Sequence, residues 1–334
     1  MRIVQLIHET LGRRVAIVDE PHLHLLDGVG SLYAVAMNAI ALERTLEQTA
    51  ADSISEDSLE YDPIYSGQSD WSLLSPIDHP VEPGGCMVAG TGLTHMASAK
   101  NRDAMHAKAD ENAPVSDSMK MFQWGVEGGK PDPGNIGAQP EWFYKGTGEI
   151  LRGHNHPLEV PSFADDGGEE PEIAGLYIIA PDGTPRRLGF SIGNEFSDHV
   201  MEKKNYLYLA PSKLRTASIG PELCTNLKYG EVHGEVKIER NGETVWSRNV
   251  ASGQTNMCHS LENLEHHHFK YPGHRKPGDV HVHFFGADAF SFGEGIALEQ
   301  GDVMCVAWNG MGRALRNPIR ISDEEDRLVK VQPL

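Results

Sequence analysis

The segment Asp165-Asp166-Gly167-Gly168-Glu169-Glu170-Pro171-Glu172-Ile173-Ala174-Gly175-Leu176 runs from a cluster of carboxylates directly into an apolar strand. In an extended chain, side chains two residues apart share a face. Glu170 and Glu172 should therefore point the same way, about 7 Å apart along the backbone. Pro171 fixes a backbone angle and donates no hydrogen bond, which fits the start of a strand or a sheet edge. The sequence thus predicts two oxygen donors that converge where a buried strand begins.

A third carboxylate, Glu195, follows another predicted strand over residues 188–196. Three carboxylates without Cys or His at matching spacing suit a hard, six-coordinate cation better than zinc. We therefore expect Mg²⁺, with Mn²⁺ as the alternative. From spacing alone, the more common explanation is an acidic loop that simply faces solvent.

The rest of the chain reads as a strand-rich α+β fold. Its 35 glycines and 20 prolines punctuate short apolar runs, a pattern typical of strands joined by turns. Residues 33–46 show apolar spacing typical of a helix, and the acidic, Ser-rich residues 51–62 have the composition of a loop. We place a small N-terminal α/β domain at residues 1–75 and a larger domain at 76–334. Strands are predicted at 3–7, 14–18, 86–89, 174–179, 231–238 and 302–308.

Composition excludes several classes of protein. The 334 residues are 39% hydrophobic and 23% charged, as in a globular chain with a buried core. No apolar run approaches the roughly 18 residues that a membrane span needs. The 29 Lys and Arg against 48 Asp and Glu give a net charge of −19, which disfavours nucleic acid. The four cysteines lack any CxxC spacing, so we expect buried thiols in a cytoplasmic protein.

A series of short motifs, in order along residues 73–320, resembles the fumarylacetoacetate hydrolase superfamily. The resemblance implies a C-terminal mixed β-roll that holds a divalent cation through carboxylates, a small N-terminal domain, and assembly into a homodimer or higher homo-oligomer. The motifs that carry it include Gly92-Leu93-Thr94-His95, Glu141-Trp142-Phe143-Tyr144-Lys145, Glu170-Pro171-Glu172-Ile173-Ala174, Gly193-Asn194-Glu195, Ser212-Lys213, Ile219-Gly220-Pro221 and Gly312-Arg313-Ala314-Leu315-Arg316-Asn317-Pro318.

Site residues follow from this resemblance motif by motif. Glu170 and Glu172 match the paired glutamates of the metal site, and Glu195 stands where the superfamily usually has aspartate. Lys213 matches the active-site lysine, and Lys145 matches the lysine of the Phe-x-Lys segment. Contacts to the substrate are expected from Thr94, Ser98, Tyr206, Gly286 and Ser291.

The chain departs from the pattern of the hydrolytic members. Those members carry a His-Glu dyad that activates water, and here Ser98 and Asn101 occupy its positions. A hydroxyl and an amide do not titrate near neutral pH, so neither is a general base. The segments 90–95 and 283–286 instead resemble the 2-keto-3-deoxy sugar-acid dehydratase branch. The resemblance thus implies conversion of 2-keto-3-deoxypentonate, a 2-oxo acid, to 2,5-dioxopentanoate in pentose catabolism.

Three questions stay open at this level. Lys213, Lys145 or His95 could move the protons, and the sequence does not choose among them. A hydrolase of 2,4-diketo acids would use the same cation and lysine, and a non-catalytic sugar-acid-binding protein would keep only the fold. The histidines at 266–268 are not expected to hold one ion together, since neighbouring side chains on a helix point about 100° apart. His281 and His283 share a face of a predicted strand, where structural histidines are the more common explanation.

Overall fold

Two β-sheets dominate the computed structural model, which describes residues 1–106 and 116–334. The strands are β1 (Arg2–His8), β2 (Gly12–Asp19), β3 (His22–Leu26), β4 (Ile54–Glu60), β5 (Trp71–Leu73), β6 (Cys86–Gly90), β7 (Phe143–Thr147), β8 (Leu151–Arg152), β9 (Leu158–Val160), β10 (Pro171–Ile179), β11 (Pro185–Asn194), β12 (Ala217–Cys224), β13 (Val232–Arg240), β14 (Glu243–Ser252), β15 (Val280–Phe284), β16 (Val303–Trp308) and β17 (Leu315–Ile321).

Short helices fill the connections between strands. They are α1 (Leu32–Ala41), α2 (Leu46–Ala51), α3 (Tyr61–Tyr65), α4 (Met96–His106), α5 (Asp117–Gly128), α6 (His199–Lys204), α7 (Leu209–Ser212) and α8 (Leu261–Phe269). None of the helices in the described residues is long and apolar enough to cross a membrane. The predicted strand-rich α+β class is confirmed.

The larger sheet has the strand order β4-β3-β2-β1-β12-β11-β10-β15-β6-β7, with β5 paired to β1 and β8 paired to β12. The smaller sheet has the order β14-β13-β16-β17-β9. A hydrophobic core joins the two, because β10 and β11 of the large sheet share one cluster with β13, β14, β16 and β17. A second cluster packs α1 against the large sheet.

Strand β10 is the centre of this arrangement, and every one of its residues is buried. Ile173 and Tyr177 belong to the core shared with the small sheet, whereas Ala174 and Leu176 belong to the cluster beneath α1. The strand is apolar on both faces, which explains why it reads as an unbroken hydrophobic run rather than an alternating one. Pro171 is its first residue, as its missing N–H predicts.

The N-terminal region differs from prediction in two places. The helix predicted over residues 33–46 ends at Ala41, because Glu43 turns left-handed at φ 52° and Thr45 starts a new helix. The Thr45 hydroxyl accepts the Gln48 N–H at 3.1 Å while the Gln48 side chain accepts the Thr45 N–H at 3.1 Å. This capping box makes a helix start where apolar spacing alone suggested continuity.

The stretch predicted as a loop, residues 51–62, contains the edge strand β4. It pairs antiparallel with β3, with His22 opposite Glu60 and Leu23 opposite Leu59. Most of its side chains are exposed, so its polar composition reflects an edge position rather than a loop. Because β1 also pairs with β12, the N-terminal strands extend the large sheet, and the boundary between residues 75 and 76 remains a prediction.

Candidate active site

Antiparallel pairing places the three predicted metal ligands together. Pro171 at the start of β10 lies opposite Asn194 at the end of β11. The ladder continues one step, since the Glu195 N–H donates to the Glu170 carbonyl at 2.9 Å. The beginning of one strand and the end of its neighbour therefore share an edge of the sheet. This register brings Glu195 beside Glu170 and Glu172.

The three carboxylates converge. One oxygen from each of Glu170, Glu172 and Glu195 lies within 4.8 Å of the other two, and all three side chains are buried. In the described part of the chain, this is the one group of three or more acidic, His or Cys side chains close enough to hold an ion. An all-oxygen donor set of this kind suits Mg²⁺ or Mn²⁺.

Two buried lysines bind these carboxylates. Lys213 Nζ contacts Glu170 Oε1 at 2.6 Å, Glu195 Oε2 at 2.7 Å and Ser197 Oγ at 3.0 Å. Lys145 Nζ pairs with Glu195 Oε1 at 2.5 Å and donates to the backbone carbonyls of residues 196 and 213 at 2.6 and 3.0 Å. Glu195 therefore bridges the two ammonium groups.

The third carboxylate, Glu172, has no lysine partner among the described residues. Gly286, just past the end of β15, donates its N–H to Glu172 Oε2 at 2.6 Å. Burial and the negative charges of Glu195 and Glu170 raise the pKa of Glu172 well above its usual value. By contrast, Lys213 and His199 overcome the effect of burial on Glu170 and hold its pKa well below the usual value.

The pKa values of the two lysines shift in opposite directions. Burial lowers the pKa of Lys145 to about 8, despite the favourable charge of Glu195. Burial also acts on Lys213, but the charges of Glu170 and Glu195 outweigh it and raise its pKa. Lys213 is therefore the firmly charged member of the pair, and Lys145 is the one that can lose its proton near neutral pH.

A small cavity of about 20 Å³ lies against this cluster, large enough for about one water molecule. It accommodates an ion, whereas a larger ligand requires the surrounding side chains to move. Its wall includes Arg102 on α4, which contacts Glu141 at 2.7 Å and Glu202 at 2.6 Å. The residues around it are Gly92, Leu93, Ser98, Arg102, Phe143, Glu170, Glu172, His199, Glu202, Lys213, Gly286, Ala287 and Phe290.

The charges at the site do not balance. With every carboxylate ionised and His199 neutral, five buried carboxylates face three buried cations, which leaves two formal negative charges. A divalent cation would neutralise that excess, and the donor chemistry therefore fits the predicted ion. The carboxylates are those of Glu141, Glu170, Glu172, Glu195 and Glu202, and the cations are Arg102, Lys145 and Lys213.

The predicted substrate-contacting residues divide into two groups. Ser98 and Gly286 line the cavity, and Thr94 packs behind Gly286, with its hydroxyl 2.0 Å from where a Cβ on that glycine would lie. Gly286 also adopts φ 97°, so this position has no room for another residue. Tyr206 and Ser291 do not line the cavity, and Ser291 instead binds the buried Glu169 through its N–H and hydroxyl, at 2.6 and 2.8 Å.

His95 is not brought to the carboxylates. Its Nδ1 lies 2.9 Å from the Thr94 hydroxyl and its Nε2 lies 3.3 Å from Ser252 Oγ. Burial lowers the pKa of His95 to about 3, which makes it a weak base. The geometry thus favours Lys213 and Lys145 over His95 as the groups that move protons, a choice that the sequence left open.

Sequence reasoning missed Arg102, Glu202 and His199 as members of the site. His199 and Glu202 lie on α6, four and seven residues after Glu195, and a helix places residues three apart on one side. That spacing was the available signal. For Arg102 the chain offers no pattern, since its partners Glu141 and Glu202 are distant in sequence.

A separate group of histidines lies outside the carboxylate site; three of its members are buried and the fourth, His274, is half-buried. We call His268, His274, His281 and His283 the histidine cluster; the ring of His268 lies 4.4 Å from that of His283 and 5.2 Å from that of His274. Trp142 Nε1 donates to His268 Nδ1 at 3.1 Å, so the proton of His268 is on Nε2, which donates to His281 Nδ1 at 2.9 Å. Within the described residues, His281 Nε2 has no hydrogen-bond partner.

Comparison with solved structures identifies the fold. The chain superposes on 2-keto-3-deoxyarabinonate dehydratase with a TM-score of 0.71 and 18% identity, over 97% of this chain and 100% of the other. A structure of 2-keto-3-deoxy-D-arabinonate dehydratase in complex with magnesium and 2,5-dioxopentanoate gives 0.70 and 19% at the same coverage. A 2-hydroxyhepta-2,4-diene-1,7-dioate isomerase from Mycobacterium marinum gives 0.60 and 15%, again over 97% and 100%. The predicted fumarylacetoacetate hydrolase-like fold is confirmed.

Sequence comparison finds a similar dehydratase, but over a shorter match. The 2-dehydro-3-deoxy-D-arabinonate dehydratase of Saccharolobus solfataricus is 28% identical over 117 residues. The match covers 34% of this chain and 38% of that protein, so it spans well under half of the relative. No family model matches the chain. The chain is therefore similar in fold to dehydratases and isomerases, and over part of its sequence to a dehydratase.

Proposed function

We propose that the chain is a divalent-cation-dependent dehydratase of 2-keto-3-deoxy sugar acids, with 2-keto-3-deoxypentonate as substrate and 2,5-dioxopentanoate as product. The observation that carries the proposal is the convergence of Glu170, Glu172 and Glu195 beside a cavity that Lys213 also lines. Ser98 and Asn101, which replace the water-activating dyad, support elimination over hydrolysis. The similarity to dehydratases in sequence and in fold agrees with this choice.

Glu170, Glu172 and Glu195 would hold Mg²⁺, which supplies Lewis-acid polarisation of the 2-keto group when bound. The residues of the chain do the remaining work. Lys213 Nζ lines the cavity and is the group best placed to transfer a proton. The pKa of Lys213 is raised because Glu170 and Glu195 are negatively charged. Once those charges are offset by a bound divalent cation, burial would lower the pKa of Lys213, and its amine could accept a proton.

The proposed reaction balances as a loss of water. A proton leaves C3, next to the keto group, while the C4 hydroxyl departs with a proton to form water. A proton then shifts from C5 to C3, and the resulting enol at C5 becomes the aldehyde of 2,5-dioxopentanoate. Lys213 can accept the first proton and return it to the departing hydroxyl, while Lys145 holds Glu195 in place from behind.

The direct test is product identification by mass spectrometry. Purified protein with Mg²⁺ and 2-keto-3-deoxypentonate should yield one product that is lighter than the substrate by one water, and EDTA should prevent its formation. A parallel reaction with a 2,4-diketo acid should give no pair of carbon fragments. Fragments from the diketo acid would overturn the proposal in favour of a hydrolase. If neither substrate yields a product, a sugar-acid-binding protein would be favoured.

Lys213→Met should reduce turnover by about a thousandfold, because it removes an ammonium group that both lines the cavity and contacts Glu170 and Glu195. The measurement is the steady-state rate with saturating Mg²⁺, on protein whose fold is verified by circular dichroism. Lys237→Met, at a half-buried position on β13 away from the carboxylates, is the control and should retain the wild-type rate. A Lys213→Met variant with full activity would exclude the lysine from the chemistry.

Three further expectations stay predictions: assembly into a homodimer or higher homo-oligomer and a role in pentose catabolism, which follow from the resemblance, and a cytoplasmic location, which follows from the composition. The dehydratases and the isomerase compared above give no support to the hydrolase alternative.

A further inference from the structure

His199 makes a contact that the proposed mechanism does not use. It lies at the start of α6, is 1% exposed, and lines the cavity. Its Nε2 lies 3.1 Å from Glu170 Oε1. Since an ionised carboxylate only accepts hydrogen bonds, Nε2 carries the proton that is donated to Glu170.

The imidazole ring is fixed on three sides. Phe290 stacks on it with the ring centres 4.8 Å apart and the planes 6° apart, and Phe292 stacks at 5.1 Å and 25°. Gly168 lies against its edge, and a Cβ on Gly168 would come within 2.5 Å of His199 Nδ1. A ring held in this way has little freedom to change the direction in which Nε2 points.

Two donors meet on one oxygen of Glu170. Lys213 Nζ donates to Oε1 at 2.6 Å, and His199 Nε2 donates to the same atom at 3.1 Å. Within the described residues, no hydrogen bond reaches Oε2 of Glu170. The backbone is held as well, because the Glu170 N–H donates to Asn194 Oδ1 at 3.2 Å. The carboxylate is therefore oriented with one oxygen occupied and the other free.

We infer that His199 is a positioning residue, which turns the free oxygen of Glu170 toward the divalent cation and raises the affinity of the site for it. This inference rests on the proposed function, because it assigns a purpose to His199 only if Glu170 is a ligand. Lys213 alone does not fix the orientation of Glu170, because its flexible side chain binds Glu195 as well and can move with either carboxylate. Partners that orient a ligand in this way typically contribute about tenfold to a hundredfold to metal affinity.

The test is the affinity for Mn²⁺, measured by isothermal titration calorimetry without substrate. His199→Phe keeps a flat ring between Phe290 and Phe292 but removes the donor, so Mn²⁺ should bind at least about tenfold more weakly. His199→Gln keeps an N–H that can reach Glu170 and should stay within about threefold of the wild type. His154→Phe is the matched control, because His154 is also buried and stacked on a ring, that of Tyr65, and should leave the affinity unchanged.

The outcomes separate this inference from the proposed function. Wild-type affinity in His199→Phe, or an equal loss in His199→Phe and His199→Gln, would overturn the inference while leaving the cation site intact. No binding of Mn²⁺ or Mg²⁺ by the wild type would overturn the cation site itself. If His199→Phe does not fold, Gly168→Ala serves instead, because it displaces the imidazole ring without removing the donor. Gly168→Ala should weaken Mn²⁺ binding about tenfold. Unchanged binding in that variant would overturn the inference.

Discussion

Glu172→Gln should abolish cation binding and turnover and, at the same time, stabilise the cation-free protein. Of the three converging carboxylates, Glu172 is the one without a lysine partner in the described part of the chain, and burial with the charges of Glu195 and Glu170 raises its pKa well above the usual value. Glutamine keeps the shape and can still accept the N–H of Gly286, but it carries no charge. The like-charge repulsion disappears, and so does a ligand whose charge the cation needs.

Thermal unfolding with and without Mg²⁺ measures both effects. In EDTA, Glu172→Gln should be more stable than the wild type by about 1 kcal/mol or more. Added Mg²⁺ should raise the melting temperature of the wild type and leave that of the variant unchanged, because only a protein that binds the ion is stabilised by it. Turnover should fall at least about a hundredfold.

The control is Glu169→Gln, one residue before Glu170. Glu169 is equally buried, but its carboxylate is bound by the N–H and hydroxyl of Ser291 and does not belong to the converging group. This variant should still be stabilised by Mg²⁺. A Glu172→Gln protein that responds to Mg²⁺ like the wild type would contradict the assignment of Glu172 as a ligand. A variant that is less stable than the wild type in EDTA would contradict the predicted charge repulsion.

The sequence predicts those parts of the site that lie on strands. Glu170 and Glu172 share a face because of the period of two in an extended chain, and Pro171 marks where that strand begins. Both features depend only on local geometry. The position of Glu195 beside them depends on which strands pair and in what register, and here the resemblance to known motifs supplied what local rules cannot.

Contacts between distant segments escape local rules altogether. Arg102 meets Glu141 and Glu202 across separations of 39 and 100 residues, and nothing in the composition of α4 marks that arginine as buried. The same limit applies to β4, whose polar residues pair with β3 as an edge strand although they read as a loop. In each case a tertiary partner, rather than the local sequence, decides the outcome.

Acid should destabilise the protein steeply below pH 6.5, because of the histidine cluster. Burial lowers the pKa of His281 and of His283 to about 3, and that of His268 well below its usual value. When the pKa of a group is lower in the folded state than in the unfolded state, the unfolded chain binds more protons at every pH between those two pKa values. The free energy of unfolding therefore falls as pH drops below about 6.5 and continues to fall toward pH 3.

The size of this effect follows from the number of protons. Each histidine contributes up to about 1.4 kcal/mol per pH unit, so the three together contribute up to about 4 kcal/mol per unit. A typical domain has a stability of about 5–15 kcal/mol, so unfolding within a few pH units below 6.5 is expected. Among the described residues, no carboxylate hydrogen-bonds to these imidazoles to oppose the effect; their partners are Trp142, Thr91 and one another.

Urea unfolding at a series of pH values, in EDTA so that cation binding does not contribute, gives the slope of stability against pH. The double variant His281→Asn and His283→Gln should lose up to about 3 kcal/mol per pH unit of that slope, because it removes two of the three buried imidazoles. Asparagine can still accept the hydrogen bond from His268, and glutamine can still reach Thr91. His233→Gln, at an exposed strand position, should leave the slope unchanged. Equal slopes in the double variant and the wild type would show that the acid sensitivity arises from other groups. Two histidines that stay neutral in the folded state and become protonated on unfolding must contribute to the slope, so their removal must change it.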